Sequence, residues 1–146
     1  MFRVAKLGLA LLPPPGKMSV IEVSDLARLL LVLTAHDPGR VILEADDGAE
    51  GGWTHDAFGR AIGAAVGQRV LPLALPKAIL SLAARADRLF RGSRAKLTAD
   101  RVRYLSHPDW TVDPAKRPAS ALWRAEVPTS QGLTATAAWY RAKGLL

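Results

Sequence analysis

Apolar residues recur along this chain in two rhythms, and their change of period marks the first elements. A β-branched run, Val20, Ile21 and Val23, gives way at Ser24-Asp25 to leucines at helical spacing. Branched side chains fit a pleated surface better than a helix, so the run predicts a short strand over 19–23. Ser24 or Asp25 then supplies a cap for the free N–H groups of a first helical turn. Leu26, Leu29, Leu30 and Leu33 follow at i, i+3, i+4 and i+7. Leu31 and Val32 lie off that face, which predicts a helix buried on most of its circumference.

The same reading extends in both directions. Residues 2–12 form a short, weakly helical segment ended by Pro13-Pro14-Pro15-Gly16. His36-Asp37-Pro38-Gly39 stops the leucine helix, and Arg40–Glu44 reads as a second apolar strand. Asp46-Asp47-Gly48 and Gly51-Gly52 read as a solvated turn, since the acidic residues lack calcium-loop spacing. Thr54 caps a helix carrying Phe58, Ile62 and Val66, and Gly67 closes it in the left-handed conformation. Val70–Leu73 is extended. Pro76 opens a helix over Lys77–Arg91, with Ile79, Leu82, Ala83, Ala86, Leu89 and Phe90 on its core side and Arg85, Arg88 and Arg91 opposite. Thr98 caps a shorter helix to about Ser106, Asp109–Val112 is extended, and Asp113-Pro114 starts another helix that Pro118 shortens. The last helix, from about Thr129 to Lys143, buries Leu133, Thr136, Ala137 and Tyr140.

The 146 residues, about half of them apolar, amount to one domain. Without cysteine there is no disulfide framework and no thiolate metal site. No apolar run reaches the roughly 20 residues needed to cross a bilayer. The N-terminal apolar stretch lacks a small-residue cleavage site, so the expected location is cytoplasmic. Residues 1–60 hold six Lys/Arg against eight Asp/Glu, whereas residues 61–146 hold fourteen against five. The second half is therefore the anion-facing one. His36, His55 and His107 are scattered, which gives no zinc spacing, and Ser81 and Ser106 sit in no glycine elbow. The four tryptophans read as core or rim packing.

One set of segments carries a resemblance. Ser19-Val20-Ile21-Glu22-Val23-Ser24-Asp25-Leu26-Ala27 resembles the strand–Asp–helix element late in extended short-chain dehydrogenases/reductases, the NAD-dependent epimerase/dehydratase family. Four further stretches follow in family order: Arg40–Gly48, Trp53-Thr54 with the helix to Gly67, Leu97–Asp113, and Gly132–Arg141 with Gly144-Leu145-Leu146. Glu22 and Ser24 stand where the family often has His and Asp. Leu122 and Ala125 replace the Gly and Pro of its turn around Trp123.

The resemblance implies an α/β fold, the C-terminal part of a Rossmann-like fold with two short parallel strands and about five helices. It reads as a single partial domain, 1–67 closing the sheet and 68–146 forming a helical substrate-side half. The implied function is to bind a nucleotide sugar or similar alcohol or ketone for an NAD(P)-dependent epimerase, dehydratase or oxidoreductase. Substrate contact falls to Ser19, Arg101, Arg103 and Trp110. NAD or NADP is implied as cofactor, but its Gly-rich turn between a strand and a helix is missing from this chain. The family's Tyr-x-x-x-Lys pair is missing as well: Tyr104 has Pro108 four residues on, and Tyr140 has Gly144. The reading therefore assigns no catalytic, cofactor-binding or metal residue and expects the chain alone to be inactive. Its partner is a small-molecule substrate or a complementary Rossmann chain, with self-association expected and neither nucleic acid nor membrane. The alternatives are a non-catalytic partner-binding subunit and a basic anion- or nucleic-acid-binding module.

Overall fold

The computed structural model describes all residues, 1–146, as an α/β fold of six helices and two small sheets. After a single helical turn, α1 (Phe2–Ala5), Gly8 takes φ +78° and turns the chain into β1 (Leu9–Leu12). The expected helix over 2–12 thus survives only in its first turn. Leu9–Leu12 instead finds a parallel partner in β4 (Leu71–Ala74), in the register Leu9–Leu71 to Leu12–Ala74. That ladder is a long-range pairing, which local helix propensity does not report.

The second sheet centres on β2 (Lys17–Met18). It lies antiparallel to β3 (Trp53–Thr54) and parallel to β5 (Asp109–Trp110). Parallel pairing is therefore present, but not at residues 19–23 and 40–44. Val20–Glu22 is a connector whose Val20 carbonyl accepts the Asp47 N–H at 2.8 Å and whose Glu22 carbonyl accepts the Leu26 N–H at 3.1 Å. Arg40–Glu44 has no ladder partner, and its longest-range backbone bond runs from the Glu44 N–H to the Lys116 carbonyl at 2.9 Å. Branched side chains suit an extended backbone, but a strand also needs a neighbour.

Helix α2 (Val23–Ala35) starts one turn earlier than its leucines suggest. Its cap is Glu22, whose carboxylate accepts the N–H groups of Ser24 and Asp25 and the Ser24 hydroxyl. The Ser24 hydroxyl, followed by the backbone bonds, holds the Glu22 pKa below its ordinary value. Only Asp25 and Leu29 of α2 are buried, while Leu26, Leu30 and Leu31 are exposed. The expected burial around most of this helix is corrected: one face meets the protein.

The main core lies between β1, α3 (His55–Val66) and α6 (Thr129–Ala142). Ala10, Leu12, Ile62, Ala65, Val66, Val70 and Ala137 meet there. Thr54 caps α3 through the Ala57 N–H at 3.1 Å, and Gly67 ends it at φ +77°, as the sequence predicts. A second, smaller cluster joins Leu80 and Ala84 of α4 (Lys77–Arg91) to Val102 of α5 (Ala99–Leu105). Both sheets cross the boundary at residue 67, pairing β1 with β4 and β2 with β5. Only 19 of 146 residues are buried, so much of the apolar half of the composition lies at the surface.

Candidate functional site

The parallel register Met18–Trp110 brings two distant segments to one cavity. About 340 Å³ in volume, it is lined by Leu12, Met18, Phe58, Tyr104, Leu105 and Trp110, with Ser19 and His55 as its polar side chains. The Trp110 ring lies 4.4 Å from that of Tyr104 and 4.7 Å from that of His107, centre to centre. Its indole N–H donates to the Tyr104 carbonyl at 3.0 Å, which fixes the ring as a wall. Gly16 is close-packed behind the site: a Cβ there would meet the Pro108 carbonyl oxygen at 2.9 Å and the His55 ring at 3.0 Å.

His55 opens α3 and is buried. Its Nδ1 lies 2.8 Å from the Pro14 carbonyl. A carbonyl only accepts, so Nδ1 carries the proton and a neutral ring leaves Nε2 with a free lone pair. The ring stands between the apolar cavity and a more open cleft of about 730 Å³ lined by Lys17, Thr54, Asp56 and Asp109. In that cleft, the Thr111 hydroxyl and then its N–H hold the Asp109 pKa below the usual aspartate value.

The four sequence-derived substrate residues do not converge. Ser19 and Trp110 share the cavity. Arg101 and Arg103 do not reach it. Arg101 donates to the Lys96 carbonyl at 2.7 Å, and Arg103 pairs with Asp100. Arg103 instead faces a groove between α4 and α5. The sequence names Phe58 as a helix packing position and His55 as an isolated histidine, and assigns neither of them nor Met18 to a site. His55 follows a helix cap and has no partner at a recognisable spacing, so only the fold brings it to the site.

Ser19 has a structural task as well. Its hydroxyl donates to Asp46 Oδ2 at 2.9 Å and accepts the Val112 N–H at 3.2 Å. The buried Asp46 also accepts Arg117 at 2.7 Å and the Gly48 N–H at 3.0 Å. The Asp46 bond raises the Arg117 pKa further above its ordinary value. Asp47 accepts the Trp53 indole N–H at 2.7 Å and the Thr129 hydroxyl at 2.5 Å. The expected solvated acidic turn is thus an inward-facing network tying residues 46–47 to β3, α6 and the segment after β5.

No group of three His or acidic residues is gathered to hold a metal ion. The residues present do not fit a dinucleotide pyrophosphate either. The turns into α2, α3 and α4 are not glycine-rich, and the α2 N-terminus is already filled by the Glu22 carboxylate. The cavity has a mostly apolar lining with one imidazole among it. No protein-family model, no curated protein and no solved structure matches this chain.

Proposed function

We propose that this chain is the substrate-side portion of an NAD(P)-dependent epimerase/dehydratase-like oxidoreductase, the C-terminal part of a Rossmann-like fold. In this reading it holds a ring-bearing alcohol or ketone while the cofactor and the Tyr–Lys pair belong to a part absent from these 146 residues. The observation that carries the proposal is the shared cavity of Ser19, from the stretch resembling that family's late strand–Asp–helix element, and Trp110, from the stretch resembling its substrate-side region. The apolar lining favours the ring of an alcohol or ketone over a nucleotide diphosphate, because the arginines lie elsewhere. His55, anchored through Nδ1 to the Pro14 carbonyl, and Ser19 are the polar side chains of the lining. The incomplete sheet supports the same reading: β1 and β4 are parallel, and Leu9, Leu11, Leu71 and Leu73 are exposed.

Saturation-transfer NMR of the chain with ring alcohols, ring ketones and a uridine diphosphate sugar tests the proposal. Transfer to a ring alcohol or ketone, lost in Trp110→Ala, is expected. Absence of transfer to every compound, or equal transfer in the variant, overturns the assignment. Reading the DNA upstream of Met1 tests the missing part: a glycine-rich strand–helix turn and a Tyr-x-x-x-Lys, in frame or frameshifted, are expected there or in a neighbouring gene.

A further inference from the structure

Helix α4 carries its charges and its exposed apolar residues on different sides. The sequence reading made Ile79, Leu82, Ala83, Ala86, Leu89 and Phe90 the core side. All six are exposed, and the core contact is made instead by Leu80 and Ala84, which pack on Val102 of α5. At about 100° per residue, Lys77, Ser81, Arg85 and Arg88 fall within an arc of roughly 80° beside that contact, away from the exposed apolar residues. The cationic side of α4 therefore turns toward α5.

There the two helices wall a groove of about 670 Å³, into which Arg103 of α5 also faces. Buried Ala84 and Val102 lie at its base. Residues 77–103 contain eight Lys/Arg against two Asp, so this helical pair carries +6 of the chain's net +7. Asp87 is committed to Arg91 and to the N–H groups of Lys96 and Leu97. Asp100 is the one carboxylate lining the groove, and it pairs with Arg103. Lys77, Arg85 and Arg88 have no carboxylate within ion-pair distance. Arg85 and Arg88 stand about one turn apart on one face, where like charges repel. Two hydroxyls complete the lining. Ser81 is half-buried, and the Thr98 hydroxyl accepts the Arg101 N–H, which leaves its own proton for a further acceptor.

We propose that this groove binds a small soluble polyphosphate, an anion with several phosphate groups on one compact frame. Arg85 and Arg88 of one wall and Arg103 of the other offer planar forks that match phosphate oxygens in pairs. Lys77 adds a point charge roughly 12 Å along the helix from Arg85. The Arg103–Asp100 pair is exposed at both residues, so it yields to a phosphate at little cost. An anion between Arg85 and Arg88 also relieves their mutual repulsion. The groove has the volume of a small-molecule site, and its concave shape favours a solute over a flat bilayer. Nucleic acid would reward aromatic residues among the cations, and none lines the groove. The site shares no lining residue with the cavity at Trp110, so it stands or falls independently of the substrate reading.

Isothermal titration calorimetry of the full chain with inorganic tripolyphosphate and with inositol hexakisphosphate, at about 0.15 M salt, is the test. Saturable binding of at least one anion is expected. Arg85→Gln/Arg88→Gln and, independently, Arg103→Gln should each weaken it by roughly tenfold or more, with circular dichroism unchanged. Arg40→Gln/Arg94→Gln removes as much charge from exposed positions outside the groove and should change binding by less than about threefold. No binding of either anion overturns the proposal. Equal weakening by the two double variants overturns it too, because the response is then to net charge alone. Loss of binding in Trp110→Ala assigns the anion to the substrate cavity, and tighter binding of duplex DNA through Arg85 and Arg88 assigns the groove to nucleic acid. Either result overturns the site.

Discussion

Asp25, in the first turn of α2, accepts the backbone N–H of Val127 at 2.9 Å across 102 residues of chain. The same carboxylate oxygen takes the Glu126 N–H at 3.0 Å, and the other pairs with Arg28 at 2.5 Å. Arg28 continues the tie, donating to the Arg124 carbonyl at 2.9 Å and lying over the Trp123 ring at 5.6 Å. A residue that the helix pattern offered as a cap is instead a buried fastener between α2 and residues 123–127.

Removing that fastener leaves two N–H groups and a guanidinium without their acceptor. Asp25→Ala is expected to cost roughly 2–4 kcal/mol, because orphaned buried donors keep their desolvation penalty. Urea denaturation monitored by tryptophan fluorescence measures the loss. A change below about 0.5 kcal/mol, the scale of ordinary surface substitutions, would refute the role.

The same site sets an acid limit. Burial raises the Asp25 pKa, but the bonds from Val127, Arg28 and Glu126 outweigh it, and the net shift is downward. A carboxylate with a depressed folded pKa contributes stability above its unfolded value of about 3.9, and loses it as pH falls through the folded value. Stability should therefore hold from neutrality to about pH 4 and fall below it. Asp25→Asn should flatten this decline, although Glu22, Glu44, Asp87 and Asp109, also shifted downward, keep part of it. A wild-type profile level down to pH 2, read from urea midpoints, would contradict the linkage.

Elements with local chemistry were legible in the sequence. Thr54, Thr98 and Asp113 each accept an N–H of the turn they open, and Gly67 takes the left-handed conformation its position requires. Elements defined by a distant neighbour were not. Leu9–Leu12 becomes a strand only against Leu71–Ala74, and Val41 and Ile42, equally apolar, find no ladder. Periodicity located the apolar arc of α4 but could not say that Val102 would meet Leu80 and Ala84 instead. Asp46 and Asp47 looked like a turn because Arg117, Trp53 and Thr129 are invisible to local spacing. In the site, Ser19 and Trp110 were legible through resemblance alone, and His55 carried no signal.

Gly16 tests the packing behind the cavity. A methyl group at this position meets the Pro108 carbonyl, a backbone atom that cannot rotate aside, and the ring of the buried His55. Gly16→Ala is expected to destabilise the protein by roughly 1–3 kcal/mol through overpacking. It should also push apart β2 and β5, whose parallel pairing holds Met18 beside Trp110. Thermal unfolding measures the first effect, and the tryptophan emission maximum, shifted to the red as Trp110 loses its neighbours, measures the second. An unchanged melting temperature would mean that the contact yields without cost.

The β1–β4 pair supplies the last expectation. Its register places Leu9 beside Leu71 and Leu11 beside Leu73 on one face, and all four are exposed. The other face is covered, since Ala10 and Leu12 pack against α3 at Gly59. Parallel sheets are ordinarily buried on both faces, and a bare apolar face with open strand edges seeks a partner. The chain by itself should self-associate as concentration rises, with an apparent mass above that of one chain in static light scattering. Leu71→Asn/Leu73→Asn should return it toward the monomer while leaving the buried residues of α3 and α6 untouched. A strict monomer over the whole concentration range would show that four exposed leucines on a two-stranded sheet are tolerated in water, and would remove the main structural support for a missing neighbour.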